Sequence, residues 1–288
     1  MTAPFANPRR SVLYMPASNA KAIDKARTLA CDAVILDLED AVAPDAKEAA
    51  RTMAADAITA GGFGSKELII RVNGLDTPWG AADIAQAVKV RPNAILVPKV
   101  NSASDVIQYQ QQIGDAGIDL WVMIETTRAL FSLGDIAAAA TQTRLACFVM
   151  GTNDLAKETG ARLVPGREPM IGALGLAVAA ARSQHLCVLD GVYNDLDDDD
   201  GFLRECVQGR NFGFDGKTLI HPKQIERCNT TFSPSDAEIA FARAVVAAFA
   251  ADENASRGVI RVEGKMAERL HLAQSERILA IAEAIGLR

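Results

Sequence analysis

The sequence predicts an α/β fold: a closed (β/α)8 barrel with a C-terminal helical extension. Short β-branched apolar runs alternate with Ala-rich amphipathic segments, the pattern of parallel strands joined by helices. Eight such runs are present, the number that closes into a barrel. The length of 288 residues suits one such barrel with a short appendage.

The predicted elements follow the apolar runs in chain order. The strands are expected at Ser11–Met15, Ala33–Leu38, Leu68–Val72, Ala94–Val97, Leu120–Ile124, Leu145–Met150, Leu186–Leu189 and Phe212–Leu219. The amphipathic segments between them predict helices that include Asn19–Ala30, Asp45–Thr59, Gly80–Lys89, Ser102–Gly114 and Arg167–Gln184.

The alternation of strands and helices ends near residue 232. We therefore predict a catalytic barrel domain at 1–232 and a helical extension at 233–288, packed on the barrel or on a neighbouring subunit. Ser233-Pro234-Ser235-Asp236 is typical of a helix start, and the Ala- and Val-rich turns that follow run to Asp252. Arg257–Gly264 could form a short extended pair, and Met266–Ile285 predicts a last helix.

Composition excludes several classes of protein. The net charge is −6 and no block of Lys and Arg stands out, so nucleic acid is not an expected partner. No stretch of about 18 apolar residues predicts a membrane span. Residues 1–5 lack the features of a secretory signal, and the five cysteines contain no Cys-x-x-Cys pair. We therefore expect reduced cysteines and a cytoplasmic location.

Polar side chains collect at the C-terminal ends of the first six predicted strands. Parallel barrels place their chemistry at this rim. A polar group beside a packed interior is costly, so its repetition at one end favours an active site over solvated loops. These residues are Tyr14, Asp37, Glu39, Asp40, Arg71, Asn73, Lys99, Glu125, Asn153 and Asp154.

Two of these carboxylates, Glu125 and Asp154, predict a metal site. They follow neighbouring strands, so they reach the same rim, and their oxygen atoms suit Mg²⁺, with Mn²⁺ as a possible substitute. The three histidines are widely spaced, which disfavours a zinc site. The alternative is that Glu125 caps the helix beginning at Thr126-Thr127 and Asp154 caps the next helix.

Arg71 is expected at the same rim, where a fixed guanidinium suits a carboxylate or a developing enolate oxygen. Asp37 and Glu39 alternate along strand two and therefore share a face, while Asp40 is expected to point the other way. We expect Asp37 and Glu39 to support the site, by holding metal-bound water or by neutralising Arg71, rather than to carry out catalysis.

Two pairs of basic residues follow the first two strands at helical spacing. Lys21 and Lys25 share one face of the first helix, and Lys47 and Arg51 repeat the spacing on the second. Together they could hold a multiply phosphorylated ligand. The alternative is that they are ordinary solvated side chains.

The motifs, in this order, resemble the citrate lyase β-subunit-like branch of the HpcH/HpaI aldolase family. The matching segments run nearly from end to end and comprise Arg10–Asn19, Leu36–Val42, Arg71–Asn73, Pro98–Val100, Ile124–Thr126, Gly151–Leu155 and Gly216–Pro222.

The resemblance implies a TIM barrel, assembled as a homotrimer or hexamer, that acts as a Mg²⁺-dependent carbon–carbon lyase on 3-hydroxyacyl-CoA thioesters such as malyl-CoA or citramalyl-CoA. It implies Glu125 and Asp154 as metal ligands and Arg71 as a catalytic residue. The residues that match substrate- or CoA-binding positions are Tyr14, Lys21, Lys25, Lys47 or Arg51, and the pair Ile220-His221.

One departure from the family lies in the tail. Related lyases carry a motif like Gly-Lys-Met-Val-Asp-Ala-Pro, whose aspartate acts as acid and base in the adjacent subunit's site. This chain has Gly264-Lys265-Met266-Ala267-Glu268-Arg269-Leu270. Either Glu268 is catalytic with a shifted reach, or the activity is altered, because catalysis depends on placement to within about 1 Å.

The predicted reaction is a reversible Claisen-type cleavage that yields acetyl-CoA and a 2-oxo acid, with Mg²⁺ and Arg71 stabilising the negative charge on oxygen. Three alternatives stay open. One is a malyl-CoA-type thioesterase. Another is an aldolase that cleaves free 2-oxo-4-hydroxy acids without CoA. The third is a citrate lyase β-like subunit that needs an acyl-carrier-protein partner, or a CoA-binding protein without turnover.

Overall fold

The computed structural model describes residues 8–254 and 256–287. This part of the chain divides into two compact units, one formed by residues 9–232 and the other by residues 233–287 with Pro8. Residues 1–5, which carry the expected absence of a secretory signal, lie outside the described part. Among the described helices, none is long and apolar enough to cross a membrane.

The first unit is a closed barrel of parallel strands in chain order, in which the first strand pairs with both the second and the eighth. This confirms the predicted (β/α)8 fold. Its strands are β1 Ser11–Pro16, β2 Ala33–Asp37, β3 Glu67–Arg71, β4 Ala94–Val97, β5 Asp119–Ile124, β6 Leu145–Met150, β7 Cys187–Asp190 and β8 Gly216–Leu219.

The helices of this unit surround the strands. They are α1 Ala20–Ala26, α2 Lys47–Ala60, α3 Gly80–Val90, α4 Ala103–Ile113, α5 Thr127–Phe131, α6 Leu133–Ala138, α7 Thr152–Thr159, α8 Ile171–Ser183, α9 Asp199–Phe212 and α10 Ile225–Phe232. The eighth strand is shorter than predicted because Phe212 ends α9. Gly213 then caps that helix in the left-handed region, with φ +97°.

Side chains alternate between the two faces of each strand, so the barrel has one core inside the strands and one between the strands and the helices. On β2, Ile35 packs inside the barrel with Val12, Ile69 and Leu96. Its neighbour Leu36 faces the surrounding helices in the larger outer core. Both layers are closely packed, so the strands are fixed and their C-terminal ends hold the following loops in defined positions.

The second unit has its own small core. Its elements are α11 Asp236–Ala250, β9 Val259–Val262, β10 Lys265–Glu268 and α12 Arg269–Ala284. The predicted helix start is present, with Ser235 and Glu238 forming a capping box. The predicted start of the last helix at Met266 is wrong. Residues 265–268 instead form the second strand of an antiparallel pair, and α12 begins at Arg269.

Candidate active site

The C-terminal ends of the barrel strands surround a cavity of about 370 Å³, which we call the rim cavity. Most of the polar strand-end residues selected from the sequence reach it, so one site collects residues far apart in the chain. Its lining is Tyr14, Pro16, Asp37, Asp40, Ala41, Arg71, Met123, Glu125, Met150, Gly151, Thr152, Asn153, Asp154, Val192, Asn194, Thr218 and Ile220.

Arg71, the last residue of β3, is held rigidly in this cavity. Its Nε and Nη2 atoms donate to the two carboxylate oxygens of Asp37, each at 2.6 Å. Its Nη1 lies 2.7 Å from Glu39 Oε2, and its guanidinium carbon lies 5.0 Å from the centre of the Tyr14 ring. Asp37 and Glu39 therefore neutralise and orient Arg71, one of the two supporting roles expected for them.

Asp40 also belongs to the site. It lines the rim cavity, and its Oδ2 lies 3.4 Å from Arg71 Nη1. The prediction that Asp40 points away from Arg71 is wrong, because β2 ends at Asp37 and strand alternation does not continue beyond that residue.

Glu125 follows β5 and is only 1% exposed. The backbone N–H of Lys99 donates to its Oε1 at 2.7 Å. Gly151 allows the next loop to pass close by, since a Cβ there would lie 2.6 Å from Glu125 Oε2. Burial raises the pKa of Glu125 to about 8, and the negative charges of Glu39 and Asp154 add to the shift.

The structure argues against the capping alternative. Thr126 caps α5, because its Oγ1 accepts from Ala129 N at 3.1 Å. Asp154 lies in the first turn of α7, after Gly151 as the N-cap residue, and has no hydrogen bond or ion pair with any residue that the structure describes. Both carboxylates thus line the rim cavity without serving as caps.

The two carboxylates fit a hard divalent ion. A cation beside Glu125 would offset the two causes of its raised pKa, burial first and then repulsion by Glu39 and Asp154. Within residues 8–254 and 256–287, no group of three or more His, Cys, Asp or Glu side chains is placed to hold a metal. The ion would therefore take Glu125 and Asp154 and leave its other positions to water and substrate, as Mg²⁺ commonly does.

The predicted role of Glu125 as a metal ligand and its raised pKa together predict a Mg²⁺ affinity that depends on pH. Between its ordinary value of 4.5 and about 8, Glu125 holds a proton in the folded, metal-free protein but not in the unfolded chain. Protonated Glu125 therefore stabilises the folded, metal-free protein at the acid end of this pH range. That contribution to stability is lost as the pH rises through about 8. Mg²⁺ must displace the proton, so its affinity should rise about tenfold per pH unit below that value and then level off.

Calorimetric titration of Mg²⁺ between pH 6 and 9 tests this expectation. The rise of Mg²⁺ affinity with pH should be absent in Glu125→Gln, because the glutamine has no proton to displace. An affinity of the wild-type protein that is constant from pH 6 to 8 would contradict the assignment.

The basic pair on α1 is free to meet a ligand. Lys21 and Lys25 are both exposed and lie one turn apart, and Asn19 caps the helix by accepting from Ala22 N at 3.1 Å. Neither lysine lines the rim cavity. Their role in binding CoA stays a prediction.

The basic pair on α2 is not free, and the prediction that it binds a phosphorylated ligand is corrected. Lys47 is buried and donates from Nζ to the backbone oxygens of Leu38 and Glu39, at 2.8 and 2.6 Å. Arg51 donates from Nε to buried Asp83 at 2.6 Å. Lys47 therefore supports the loop that carries Glu39 instead of facing a ligand.

The side chains of Ile220 and His221, both predicted to bind substrate, lie in different surroundings. Ile220 lines the rim cavity, but His221 is not among its lining residues. His221 Nδ1 accepts from Lys223 N at 3.2 Å and so caps the turn that follows β8. Ile220 is therefore placed at the rim cavity, and a role of either residue in binding substrate stays a prediction.

Glu268 lies in the second unit, at the start of α12. Its backbone N–H donates to His271 Nδ1 at 2.9 Å. This bond caps the start of α12 with the ring of His271 and does not involve the Glu268 carboxylate. A catalytic role in a neighbouring subunit stays a prediction.

Sequence reasoning missed Asn194 and Thr218 in the rim cavity. Asn194 follows β7 and Thr218 belongs to β8, so the rule that selected residues after the first six strands would have found Asn194 had it been applied to the seventh. Met123 and Met150, which also line the cavity, carry no polar signal that could have marked them.

Comparison with known proteins assigns the chain to a family. Residues 10–222 match HpcH/HpaI aldolase/citrate lyase. The chain therefore belongs to the HpcH/HpaI aldolase/citrate lyase family. This confirms the resemblance drawn from the motifs.

Individual members of the HpcH/HpaI family match nearly the whole chain. The (3S)-malyl-CoA thioesterase of Cereibacter sphaeroides is 48% identical over 98% of this chain and 97% of its own length. The L-malyl-CoA/beta-methylmalyl-CoA lyase of the same organism is 32% identical over 98% and 97%. The structure of CitE from Mycobacterium tuberculosis, in complex with magnesium, acetoacetate and coenzyme A, superposes with a TM-score of 0.76 at 29% identity, over 97% of this chain and 99% of that one.

Proposed function

We propose that the protein is a Mg²⁺-dependent thioesterase that hydrolyses a 3-hydroxyacyl-CoA of the malyl-CoA type. The observation that carries the proposal is the 48% identity to a (3S)-malyl-CoA thioesterase along almost the full length of both chains. Identity to the malyl-CoA lyase is lower, at 32% over a similar span. The rim cavity supports the same proposal, because its carboxylates and its fixed guanidinium suit a small substrate that carries a carboxylate.

The polar residues of the rim cavity have separate roles in hydrolysis. Glu125 and Asp154 would hold Mg²⁺, which when bound supplies a Lewis acid for substrate oxygen atoms. Arg71, fixed by Asp37, stabilises the negative charge that develops on oxygen as the thioester carbonyl is attacked. Asp37 accepts two hydrogen bonds from Arg71 at 2.6 Å, whereas Asp40 contacts Arg71 only at 3.4 Å, so Asp40 takes the proton from the attacking water. The carbon–sulfur bond then breaks, and CoA leaves as the thiolate and takes up that proton.

The second candidate is the lyase reaction, favoured by the family and by the malyl-CoA lyase relative. Cleavage of the carbon–carbon bond releases an enolate, and a positioned acid must protonate its carbon. Glu268 would be that acid, supplied by a neighbouring subunit of a homotrimer or hexamer. Glu268 is one methylene longer than the aspartate that related lyases carry at this place, which favours hydrolysis over this reaction.

Product analysis distinguishes the candidates. Purified protein with Mg²⁺ and malyl-CoA should release free CoA and malate, with no acetyl-CoA. Formation of acetyl-CoA and glyoxylate would instead show that the protein catalyses the lyase reaction. Cleavage of a free 2-oxo-4-hydroxy acid in the absence of CoA would show that the protein is an aldolase. Binding of CoA without turnover, until an acyl-carrier protein is added, would show that it is a citrate lyase β-like subunit.

Replacement of Lys21 and Lys25 tests the expected CoA site. The double variant Lys21→Ala/Lys25→Ala should raise KM for the CoA thioester by about tenfold and leave kcat unchanged, because phosphate contacts far from the reacting bond contribute uniform binding. The loss should shrink at high salt, since exposed charges are screened. Lys89→Ala, on α3, is the matched control, and an unchanged KM in the double variant would remove these lysines from the site.

A further inference from the structure

A second cavity of about 420 Å³ lies beside the rim cavity, and polar and charged side chains form much of its lining. Its charged lining residues are Arg162, Arg167, Asp195, Asp198, Arg204 and Glu205. None of these six residues lines the rim cavity, and none has a role in the proposed reaction. The second cavity is therefore a separate charged site.

Arg167 is the buried cation of this cavity, with only 5% of its surface exposed. Its Nη1 donates to Asp190 Oδ1 at 2.7 Å, and its Nε donates to Gln208 Oε1 at 2.8 Å. Its Nη2 is also buried, but within residues 8–254 and 256–287 this atom has no hydrogen-bond partner. Buried donors are normally paired, so Nη2 indicates an acceptor that the side chains around it do not supply.

A buried ionic network holds Arg167 in place. Asp190 is fully buried and contacts both Arg167 and Lys217, whose Nζ lies 3.3 Å from Asp190 Oδ2. Lys217 in turn donates to Glu205 Oε1 at 2.6 Å. Two cations thus share two carboxylates, and Arg167 is fixed before any ligand arrives, which lowers the entropic cost of binding.

The other two carboxylates of the second cavity have hydrogen-bond donors of their own. Asp195 Oδ1 accepts from the backbone N–H groups of Asp197 and Asp198, at 3.0 and 3.2 Å. The Asp198 carboxylate accepts from the Tyr193 hydroxyl at 2.8 Å and from Gly201 N at 2.7 Å. The acidic residues of the cavity are therefore engaged, and the buried atom that lacks a partner is a donor.

Two exposed arginines add unused donors to the same cavity. Arg162 makes no hydrogen bond or ion pair with any residue in the described part of the chain. Arg204 Nη2 lies 3.8 Å from Asp198 Oδ2, too far for a hydrogen bond, and the Arg204 side chain is 68% exposed. The cavity thus offers guanidinium N–H groups both in its buried part and at its exposed edge.

We propose that the second cavity binds a small dianion, either a dicarboxylate or a phosphate. One oxygen atom of the ligand accepts from Arg167 Nη2, and the others meet Arg162 and Arg204. The guanidinium group suits both kinds of oxyanion, because its parallel N–H groups can meet two oxygen atoms at once. This site goes beyond the proposed function, since it uses none of the residues assigned to the reaction.

Calorimetric titration tests the site, with succinate and inorganic phosphate as the two anions and succinamide as the neutral analogue. The titrations are made without Mg²⁺, so that the rim cavity offers no metal to the anions. At least one anion should bind, with one ion per chain, and the anion that binds identifies the ligand class. Succinamide should not bind. In Arg162→Ala/Arg204→Ala the Kd should rise about tenfold, because two charged donors are lost.

Two variants serve as controls. Arg128→Ala removes an exposed arginine on α5 that lines neither cavity, and Arg71→Lys alters the guanidinium of the rim cavity. Both should keep the wild-type Kd. Arg167→Lys should weaken binding, with thermal unfolding as the check of its fold, and the double variant of the exposed arginines decides the matter if Arg167→Lys does not fold.

Four results would overturn the inference. They are binding of neither anion, equal binding of succinamide, a wild-type Kd in Arg162→Ala/Arg204→Ala, and loss of binding in Arg71→Lys. The measurement needs no turnover. A protein that binds an anion as expected but consumes no CoA thioester would therefore overturn the proposed function alone.

Discussion

Replacing Arg71 by lysine is expected to lower kcat by about 10²–10³-fold while the protein stays folded. The charge is kept, but the planar fork that meets both oxygens of Asp37 at 2.6 Å is lost. A lysine ammonium cannot keep that contact and also face the oxygen atom on which charge develops. Steady-state kinetics with the CoA thioester measures the loss, which should appear in kcat and not in KM alone.

Arg51→Lys is the matched control, because it makes the same change in an arginine–aspartate pair outside the rim cavity, with a half-buried arginine and a buried aspartate. It should leave kcat unchanged. Arg71→Met is a poorer probe of catalysis. It leaves the buried charge of Asp37 without its cation, which costs about 3–5 kcal/mol of folding stability. If Arg71→Lys retained full kcat, the guanidinium would have no part in stabilising the reacting oxygen.

Replacing either metal carboxylate by its amide should lower kcat/KM by about 10³-fold, the equivalent of about 4 kcal/mol of lost charge stabilisation. Glu125→Gln and Asp154→Asn change the charge but hardly the size. Excess Mg²⁺ should restore part of the activity in both, because the amide oxygen remains a weak ligand. Kinetics over a range of Mg²⁺ concentrations measures this effect.

Glu158→Gln serves as the control for this pair of variants. Glu158 also lies on α7, but its carboxylate accepts from Thr127 N at 2.7 Å and does not line the rim cavity. The activity of Glu158→Gln and its dependence on Mg²⁺ should match those of the wild-type protein. Full activity of Asp154→Asn at low Mg²⁺ would be incompatible with the proposed site.

The barrel and the centre of the site could be predicted because both depend on local patterns. Each apolar run of β-branched residues became a strand, and parallel strands bring their C-terminal ends to one rim. The polar residue that follows a strand, such as Glu125, is therefore placed by the strand alone. No long-range information was needed.

Residues on helices and irregular loops were harder to place. The i, i+4 spacing of Lys47 and Arg51 is the same as that of Lys21 and Lys25, but one pair faces backbone oxygens and a carboxylate and the other faces solvent. Spacing fixes which residues share a helix face and does not fix what that face meets.

The remaining errors have a similar cause. Asp40 was misplaced because alternation was extended beyond the end of β2. The ring of His221 also makes a contact that the motif did not indicate, because it caps the turn after β8. Such contacts depend on the exact residue at which an element ends, the feature that sequence patterns define least sharply.

The most direct test of the central claim is a Mn²⁺ titration followed by electron paramagnetic resonance, with Mn²⁺ as the spectroscopic substitute for Mg²⁺. We expect one ion per chain in the wild-type protein, displaced by Mg²⁺, and greatly weakened binding in both Glu125→Gln and Asp154→Asn but not in Glu158→Gln. Unchanged binding in either of the first two variants would show that residues 125 and 154 do not share an ion.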